Sequence, residues 1–256
     1  MKIAIITAAG ISSRFNEGYP EEEKKLKVIY HEAGSKETLL LHLVKNCSAF
    51  DEVIIVGGYR YEELKEYAEK EIMEATDSKI TVLYNPHFSD LASGYSLYLG
   101  LYEALKRDGV TEILFVEGDL DIDKKSFDKV IKAKTSVLTY NHTPIYSNKA
   151  VVLYRTEEGR YHYIFNSSHG ILKIDDAFTC ILNSGQLWKF TDIEAVKKVC
   201  DDFFYTEKNG TNLLLIQNYI DQIQTEQIDV IELNQWTNCN TREDFHNIKE
   251  GWEAKR

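Results

Sequence analysis

A chain of 256 residues, 43% hydrophobic and 28% charged, can bury one large core or two small ones. With three prolines, fourteen glycines and no low-complexity stretch, it falls outside the disordered, collagen-like and linker-rich classes. Thirty Lys+Arg against 41 Asp+Glu give a formal charge of −11, which opposes binding to a nucleic-acid backbone or an anionic membrane.

The first half alternates strand and helix signals. Residues 3–7 form a short apolar, β-branched run expected as a central strand covered on both faces. Residues 37–47 carry Leu40, Leu43, Val44 and Cys47 at helical spacing; residues 53–56 are a second apolar strand closed by Gly57-Gly58. Residues 61–75 put Leu64, Tyr67, Ala68 and Ile72 on one helical face with charges opposite. A strand over 80–84, a helix over 95–105 and a strand over 112–116, running into Glu117-Gly118-Asp119, complete the pattern. Such alternation predicts a mostly parallel sheet with helices on both faces.

Beyond about residue 135 the pattern changes. Residues 136–140, 150–155 and 161–165 are strand-like, and Glu157-Glu158-Gly159 is a hairpin turn signal. Helices are expected over 192–204 and 211–222, then a strand over 227–232 and an amphipathic segment from Thr241. With no Pro/Gly/Ser-rich linker between the halves, the expectation is a single domain over 1–256, with 136–225 as an antiparallel insertion and 226–256 as a return strand and helix. The longest apolar runs, 3–6 and 213–216, fall far short of the roughly 18 residues that span a bilayer, and the opening residues do not read as a signal peptide. Cys47, Cys180, Cys200 and Cys239 lie far apart with no CxxC pair, so neither a zinc site nor a disulfide framework is indicated and a cytoplasmic location is expected.

Five segments carry candidate chemistry. Ala8-Ala9-Gly10-Ile11-Ser12-Ser13-Arg14 directly follows the opening strand. Small residues there let backbone N–H groups approach a phosphate, and the next helical turn adds its positive end. Arg14 would then reach the phosphate tail. The segment is neither GxxxxGK[ST] nor GxGxxG; the plain alternative is an ordinary strand-to-helix turn. Lys24, Lys25 and Lys27, after Glu21-Glu22-Glu23, can hold a polyphosphate locally because charges beyond a Debye length of about 8 Å are mostly screened. Alone, they read as a solvated charged loop.

Glu117-Gly118-Asp119-Leu120-Asp121-Ile122-Asp123 ends a buried strand, where carboxylates are placed to hold Mg²⁺ against substrate phosphates. A helix cap is the alternative there, and it suits Asp123 best. Ser93-Gly94-Tyr95-Ser96 opens a helix and either contacts a nucleoside or supplies Ser93 as a cap. Asn238-Cys239-Asn240-Thr241-Arg242-Glu243-Asp244 contains a Thr241/Asp244 pair that reads as a capping box.

In order and content these segments resemble the nucleoside triphosphate transferase family. Residues 6–15 are similar to its opening signature, Lys24-Lys25-Leu26 to its downstream lysine, Ser93-Gly94-Tyr95-Ser96-Leu97 to its base-side turn, and Glu117-Gly118-Asp119 to its metal-binding strand end. Residues 238–244 are similar to its C-terminal N-x-N-T-x-x-D segment. Among subfamilies the chain looks most like the CTP:phosphocholine and phosphonate cytidylyltransferases, through Tyr84-Asn85-Pro86, residues 184–190 and Trp236. The lysine usually follows a proline, whereas Glu23 precedes Lys24 here.

The resemblance implies a Rossmann-like, three-layer α/β nucleotidyltransferase fold, with a mixed, mostly parallel sheet and residues 1–135 as the nucleotide-binding half. It implies a Mg²⁺-dependent cytidylyltransferase that joins CMP from CTP to a small phosphate- or phosphonate-bearing acceptor, phosphocholine-like, an aminophosphonate or an amino-acid phosphate, with release of pyrophosphate. Arg14 and Lys24 or Lys25 would be catalytic. Ala8, Ala9, Gly10, Ser12, Ser13, Ser93, Gly94 and Ser96 would bind the nucleotide, and Asp119 and Asp244 the metal, with Asp121 behind them. No nucleic-acid or membrane partner is expected, and a homodimer is compatible with the family. The rivals are a sugar-1-phosphate uridylyl- or thymidylyltransferase, a glycosyltransferase using Asp119-Leu120-Asp121 as a DxD motif, and a non-catalytic nucleotide binder. Tyr140, Tyr146, Tyr154, Tyr161, Tyr163 and Trp188 offer either a cage for a quaternary ammonium or simply good strand residues.

Overall fold

The structure is a computed structural model describing residues 1–147, 150–164 and 171–254. Its first half runs β1 (Lys2–Ala8), α1 (Leu39–Asn46), β2 (Glu52–Gly57), α2 (Tyr61–Tyr67), α3 (Met73–Ala75), β3 (Lys79–Tyr84), α4 (Gly94–Ala104) and β4 (Glu112–Glu117). These strands pair in parallel in the order β3-β2-β1-β4. α1 begins later than its apolar spacing suggests because the Thr38 hydroxyl accepts from Leu41 N at 3.0 Å and caps it, leaving Glu37 outside. The predicted helix over 61–75 is present but contains a π-helical turn, Ala68–Ile72, between α2 and α3.

The second half contributes β5 (Leu120–Ile122), α5 (Lys124–Lys132), β6 (Ser136–Asn141), β7 (Val152–Thr156), β8 (Tyr161–Ile164), β9 (Phe178–Ser184) and β10 (Leu187–Phe190). It ends with α6 (Ile193–Asp202), α7 (Asn212–Ile220), β11 (Ile228–Glu232), β12 (Trp236–Asn238) and α8 (Arg242–Glu253). β7 and β8 are the predicted hairpin, with Gly159 at φ +88° in its turn, a conformation that glycine adopts without steric cost. Phe165, expected at the end of that strand, lies outside the described residues.

β10 is the strand the sequence hides. It enters antiparallel beside β4 and joins the parallel half to β6-β9-β7-β8, while β11 pairs in parallel with β6. Lys189 in its middle reads as a solvated residue, yet it is 1% exposed. Its ammonium donates to Ile131 O at 3.2 Å and Ala133 O at 2.6 Å and pairs with Glu112 at 2.9 Å. Full pairing is what makes a charge tolerable at such depth.

Successive β1 residues face opposite sides of the sheet. Ile3 and Ile5 join Phe115 and Trp188 in a core covered by α4, α6 and α7; Ala4 and Ile6 join Leu114 and Val116 in a second core with residues of α1, α2 and α5. A third cluster, Phe15, Leu39, Cys239, Phe245, Ile248 and Trp252, seats α8 against the loop after β1. Three layers result, and the C-terminal ends of β1, β2 and β4 open on one edge with the loops that follow them.

Candidate active site

β1 ends at Ala8, opposite Gly57 of β2, and Ala9 O accepts from Tyr59 N at 3.2 Å. A Cβ on Gly58 would stand 2.4 Å from Phe88 Cβ and 2.9 Å from Ala9 O, so only glycine lets these loops meet. Ser12 then takes φ +60° and Ser13 an αR conformation. Successive left- and right-handed residues turn their N–H groups to one side and form an anion-binding nest. Among the described residues no acceptor is bonded to the N–H groups of Gly10, Ile11, Ser12 or Ser13.

Asn16, 5% exposed, closes the loop by exchanging two hydrogen bonds with the Lys25 backbone, at 2.8 and 2.9 Å. Residues 17–24 therefore bulge outward from an Asn16–Lys25 neck. Lys24 pairs with Glu21 at 2.7 Å on that bulge, and Lys25 is exposed. Lys27, beyond the neck, turns inward: its ammonium donates to Asp119 Oδ2 at 2.7 Å and to Cys239 O at 3.1 Å. The lysine brought to the strand edge is thus Lys27, whereas Lys24 and Lys25, expected there, do not line the cavity.

Lys27 and Asp119 share a cavity of about 320 Å³ with Ala8, Ala9, Gly10, Ser12, Ser93 and Ser96. Asn85, Phe88, Glu117 and Asn212 complete its main walls. Asn85 is 1% exposed and donates to Ser96 Oγ at 2.9 Å. Ser93 makes no side-chain cap for α4; instead its hydroxyl donates to Asn212 Oδ1 at 3.1 Å and accepts from Asn212 N at 3.2 Å. The other Asn212 amide end donates to Glu117 Oε1 at 2.6 Å. Burial and the neighbouring Asp119 push the Glu117 carboxyl up to about 7, against the lowering effect of the Asn212 hydrogen bond and Lys27.

Several expected site residues stand elsewhere. Ser13, in the nest, and Arg14, just after it, are exposed and Gly94 is buried behind the wall; none of the three lines the cavity. Asp121 is 6% exposed and accepts from the Trp252 indole at 2.8 Å and Gln235 Nε2 at 3.4 Å. Its strand position after Asp119 sends it under α8. Asp244 forms the capping box of α8 with Thr241 and accepts from Asn240 N and Thr241 N, both at 2.8 Å. Neither is a wall of the cavity. Asp123 caps α5, accepting from Ser126 N at 2.9 Å.

The aromatic cage does not assemble either. Trp188 is 0% exposed, stacks on Phe115 with centroids 5.0 Å apart, and donates to Tyr163 Oη at 2.7 Å. Tyr154 bonds Asp176, and among the described aromatic residues only Phe88 lines the cavity.

The residues present suit a hard divalent cation. Asp119 Oδ1 and Asn238 Oδ1 are buried acceptors without a hydrogen-bond partner. β12 lies antiparallel to β5, and Cys239 N donates to Asp119 O at 2.8 Å, so both oxygens belong to one two-stranded ribbon. No group of three or more His, Cys, Asp or Glu among the described residues can hold a metal by itself. One carboxylate with an amide oxygen matches Mg²⁺, which takes most of its ligands from water and phosphates.

Residues 23–252 match the model of a family described as a domain of unknown function, DUF6564. The chain belongs to that family. No curated protein matches the sequence. Among solved structures, this chain is similar to the inositol-1-phosphate CTP transferase from T. maritima, at 17% identity and a TM-score of 0.67 over 98% of this chain and 97% of that one. It is similar to the CTP:phosphocholine cytidylyltransferase from Streptococcus pneumoniae, at 15% identity and 0.64 over 97% and 98%. A UDP-glucose pyrophosphorylase complexed with UDP-glucose gives 15% and 0.70 over 100% of both chains. The fold is the Rossmann-like nucleotidyltransferase fold. No helix among the described residues is long and apolar enough to cross a membrane.

Proposed function

We propose that this DUF6564 chain is a Mg²⁺-dependent nucleotidyltransferase, and specifically a cytidylyltransferase that transfers CMP from CTP to a small phosphate- or phosphonate-bearing acceptor. The observation that carries the reading is the Lys27–Asp119 pair lining the same cavity as Gly10 and Ser12 of the open N–H nest. A polyphosphate needs N–H donors and a cation; a metal needs a carboxylate beside them. Both are assembled from segments 92 residues apart.

In the reaction an ionised acceptor oxygen forms a bond to the α-phosphorus of CTP as the bond from that phosphorus to the β-bridging oxygen breaks, and pyrophosphate leaves with the electron pair. Positioning and charge neutralisation supply most of the acceleration, since no proton must be removed from such a nucleophile at neutral pH. The nest holds phosphate oxygens by backbone N–H groups. Lys27 has three N–H bonds, two of which are used on Asp119 and Cys239; the third is left for a phosphate oxygen. Arg14, exposed at the rim and without an ion pair among the described residues, takes the outgoing pyrophosphate. Ser93 and Ser96, fixed by Asn212 and Asn85, face the nucleoside. Asp119, on the cavity wall, would hold Mg²⁺, with the unpartnered Asn238 amide oxygen on the neighbouring strand as a further candidate ligand, and a bound metal would neutralise phosphate charge as a Lewis acid.

The CTP preference draws support from two of the similar structures, whose names specify CTP. A second reading, uridylyl transfer to a sugar 1-phosphate, draws support from the UDP-glucose complex. A DxD glycosyltransferase is disfavoured because Asp121 is sealed under Trp252 and does not share the cavity with Asp119. The test is pyrophosphate release by the full chain with Mg²⁺, each of CTP, UTP, dTTP and ATP, and a panel of amino-, choline- and sugar-phosphate acceptors. Release with CTP above the others supports the reading. Release with UTP or dTTP alone replaces it with the second, and no release with any pair sinks both.

A further inference from the structure

Residues 17–24, the bulge beyond the Asn16–Lys25 neck, carry no buried side chain, and all but Lys24 are exposed. A segment without apolar burial has little to fix it, yet both of its ends run directly into the site. On one side lie the nest, Arg14 and Phe15; on the other lie Lys25, Leu26 and the Lys27 that meets Asp119. Two arginines reach the bulge from elsewhere in the chain. Arg60 donates to Glu21 O at a long 3.5 Å, and Arg242 donates to Glu23 O at 2.6 Å.

Arg242 adds a stack to that bond. Its guanidinium carbon stands 3.4 Å from the centroid of the Tyr19 ring, 5.4 Å from that of Tyr30 and 5.8 Å from that of Phe15. Phe15 is 1% exposed and meets Tyr30 edge to face at 5.1 Å, so the guanidinium bridges a fixed aromatic pair and the ring of an exposed loop. Such stacking suits a planar guanidinium better than an ammonium. Arg242 Nε is buried without a hydrogen-bond partner, a cost that an arginine extended into water avoids. Tyr19 and Glu23 O therefore hold the side chain down against that cost. The stretch just before Arg242 belongs to the site: Cys239 O accepts from Lys27, and Cys239 N donates to Asp119 O.

We infer that Arg242 is a positioning residue for triphosphate binding: it clamps Tyr19 and the Glu23 carbonyl to the start of α8, and the bulge so held keeps the nest at one end and Lys27 at the other in place. This inference rests on the nucleotidyltransferase reading and adds to it a residue outside the cavity. Arg242 is not a wall of the cavity and acts through the chain on either side of the bulge.

The experiment uses the full chain. Trypsin reads the bulge directly, because Lys24 lies in it and Lys25 at its neck. Steady-state kinetics with Mg²⁺, CTP and UTP in turn, and the same acceptor panel give a KM for each substrate, and urea denaturation gives global stability. Arg242→Ala keeps a good helix former at the start of α8. It should speed cleavage after Lys24 and Lys25 by roughly tenfold and raise triphosphate KM by about tenfold while acceptor KM stays within about threefold. Tyr19→Ala should do the same, Tyr19→Phe, which keeps the ring, should behave as the parent, and Arg242→Lys should fall between them. The double variant Arg242→Ala/Tyr19→Ala should be no worse than either single change, since both remove one clamp. A residue that only stabilised the fold would move the urea midpoint and both KM values together.

Unchanged cleavage in Arg242→Ala overturns the inference. So does faster cleavage with an unaltered triphosphate KM, since the bulge then has no hold on the site, and so do additive losses in the double variant. All three leave the nucleotidyltransferase reading standing. Wild-type protein that neither binds nor turns over a triphosphate removes that reading and the inference with it, whatever the cleavage shows.

Discussion

The ammonium of Lys27 stands 2.7 Å from Asp119 Oδ2, joining a loop near the N-terminus to the end of the fourth strand. Its neighbours Lys24 and Lys25 differ from it only in which side of the Asn16 neck they occupy. Replacing Lys27 by Met is expected to reduce nucleotidyl transfer by about 10²- to 10³-fold, the usual effect of removing one electrostatic stabiliser. Lys24→Ala and Lys25→Ala should stay within about threefold of the parent. Steady-state pyrophosphate release on the three variants checks the assignment; equal losses at all three would remove Lys27 from its special place.

The three aspartates of the sequence signature separate by role. Asp119→Asn should abolish metal-dependent turnover with the fold intact. Asp121→Ala strands the buried Trp252 indole N–H and should cost about 1–3 kcal/mol of stability, with the Mg²⁺ requirement unchanged. Asp244→Ala removes the α8 cap and should cost about 1 kcal/mol. Urea denaturation alongside Mg²⁺ titrations of activity distinguishes them.

Gly94 is where the base-side turn meets α7. A Cβ there would stand 2.4 Å from Gly210 O and 2.8 Å from Thr211 O, both backbone atoms. Gly94→Ala must part the two helices and carry Asn212 away from Ser93 and Glu117, at a cost of roughly 1–3 kcal/mol together with raised substrate KM values. Gly251, inside α8 with nothing within 4 Å, behaves oppositely. Gly251→Ala should gain about 0.5–1 kcal/mol through helix propensity. Thermal denaturation of both variants tests the contrast.

At the opposite edge of the sheet, Glu52 is 0% exposed and accepts from Arg107 at 2.9 and 3.1 Å, Thr81 at 2.6 Å and Lys79 at 2.9 Å. The Arg107 guanidinium, helped by the other donors, holds its carboxyl down at about 2. Because the folded value lies below the unfolded one, this carboxylate stabilises the fold above about pH 4.5 and loses that contribution as pH falls from there toward 2. The contribution is about 2–3 kcal/mol. Glu52→Gln should therefore lower stability at pH 7 and flatten its decline below pH 4.5, measured by urea midpoints across pH 2–7. An unchanged acid limb would show that other carboxylates govern it.

The βαβ alternation and the turn after β1 were readable because each depends on residues close in sequence: apolar runs, a glycine turn, a hydroxyl cap. Asp119 was readable for the same reason, as the carboxylate placed just past a buried strand. β10 was not, because Lys189 breaks the apolar pattern and is tolerated only through partners at Glu112, Ile131 and Ala133. Asn212 carried no local signal of a site at all, and Asn238 carried one only through the resemblance of residues 238–244 to a family segment. One lies at the start of a helix in the insertion, and the other in a three-residue strand paired with β5.

Sequence alone thus determined the layered α/β fold and the loops that meet at its strand edge, since periodicity and turn chemistry act over a few residues. Tertiary structure decided which of three lysines enters the cavity, which of three aspartates is left with an unpaired oxygen, and that Tyr154, Tyr163 and Trp188 are buried away from the cavity. Those choices turn on a side-chain neck at Asn16, a helix packed over Asp121 and strand pairings that join residues more than 90 positions apart. Closing such contacts depends on the whole chain's topology, which no local window contains.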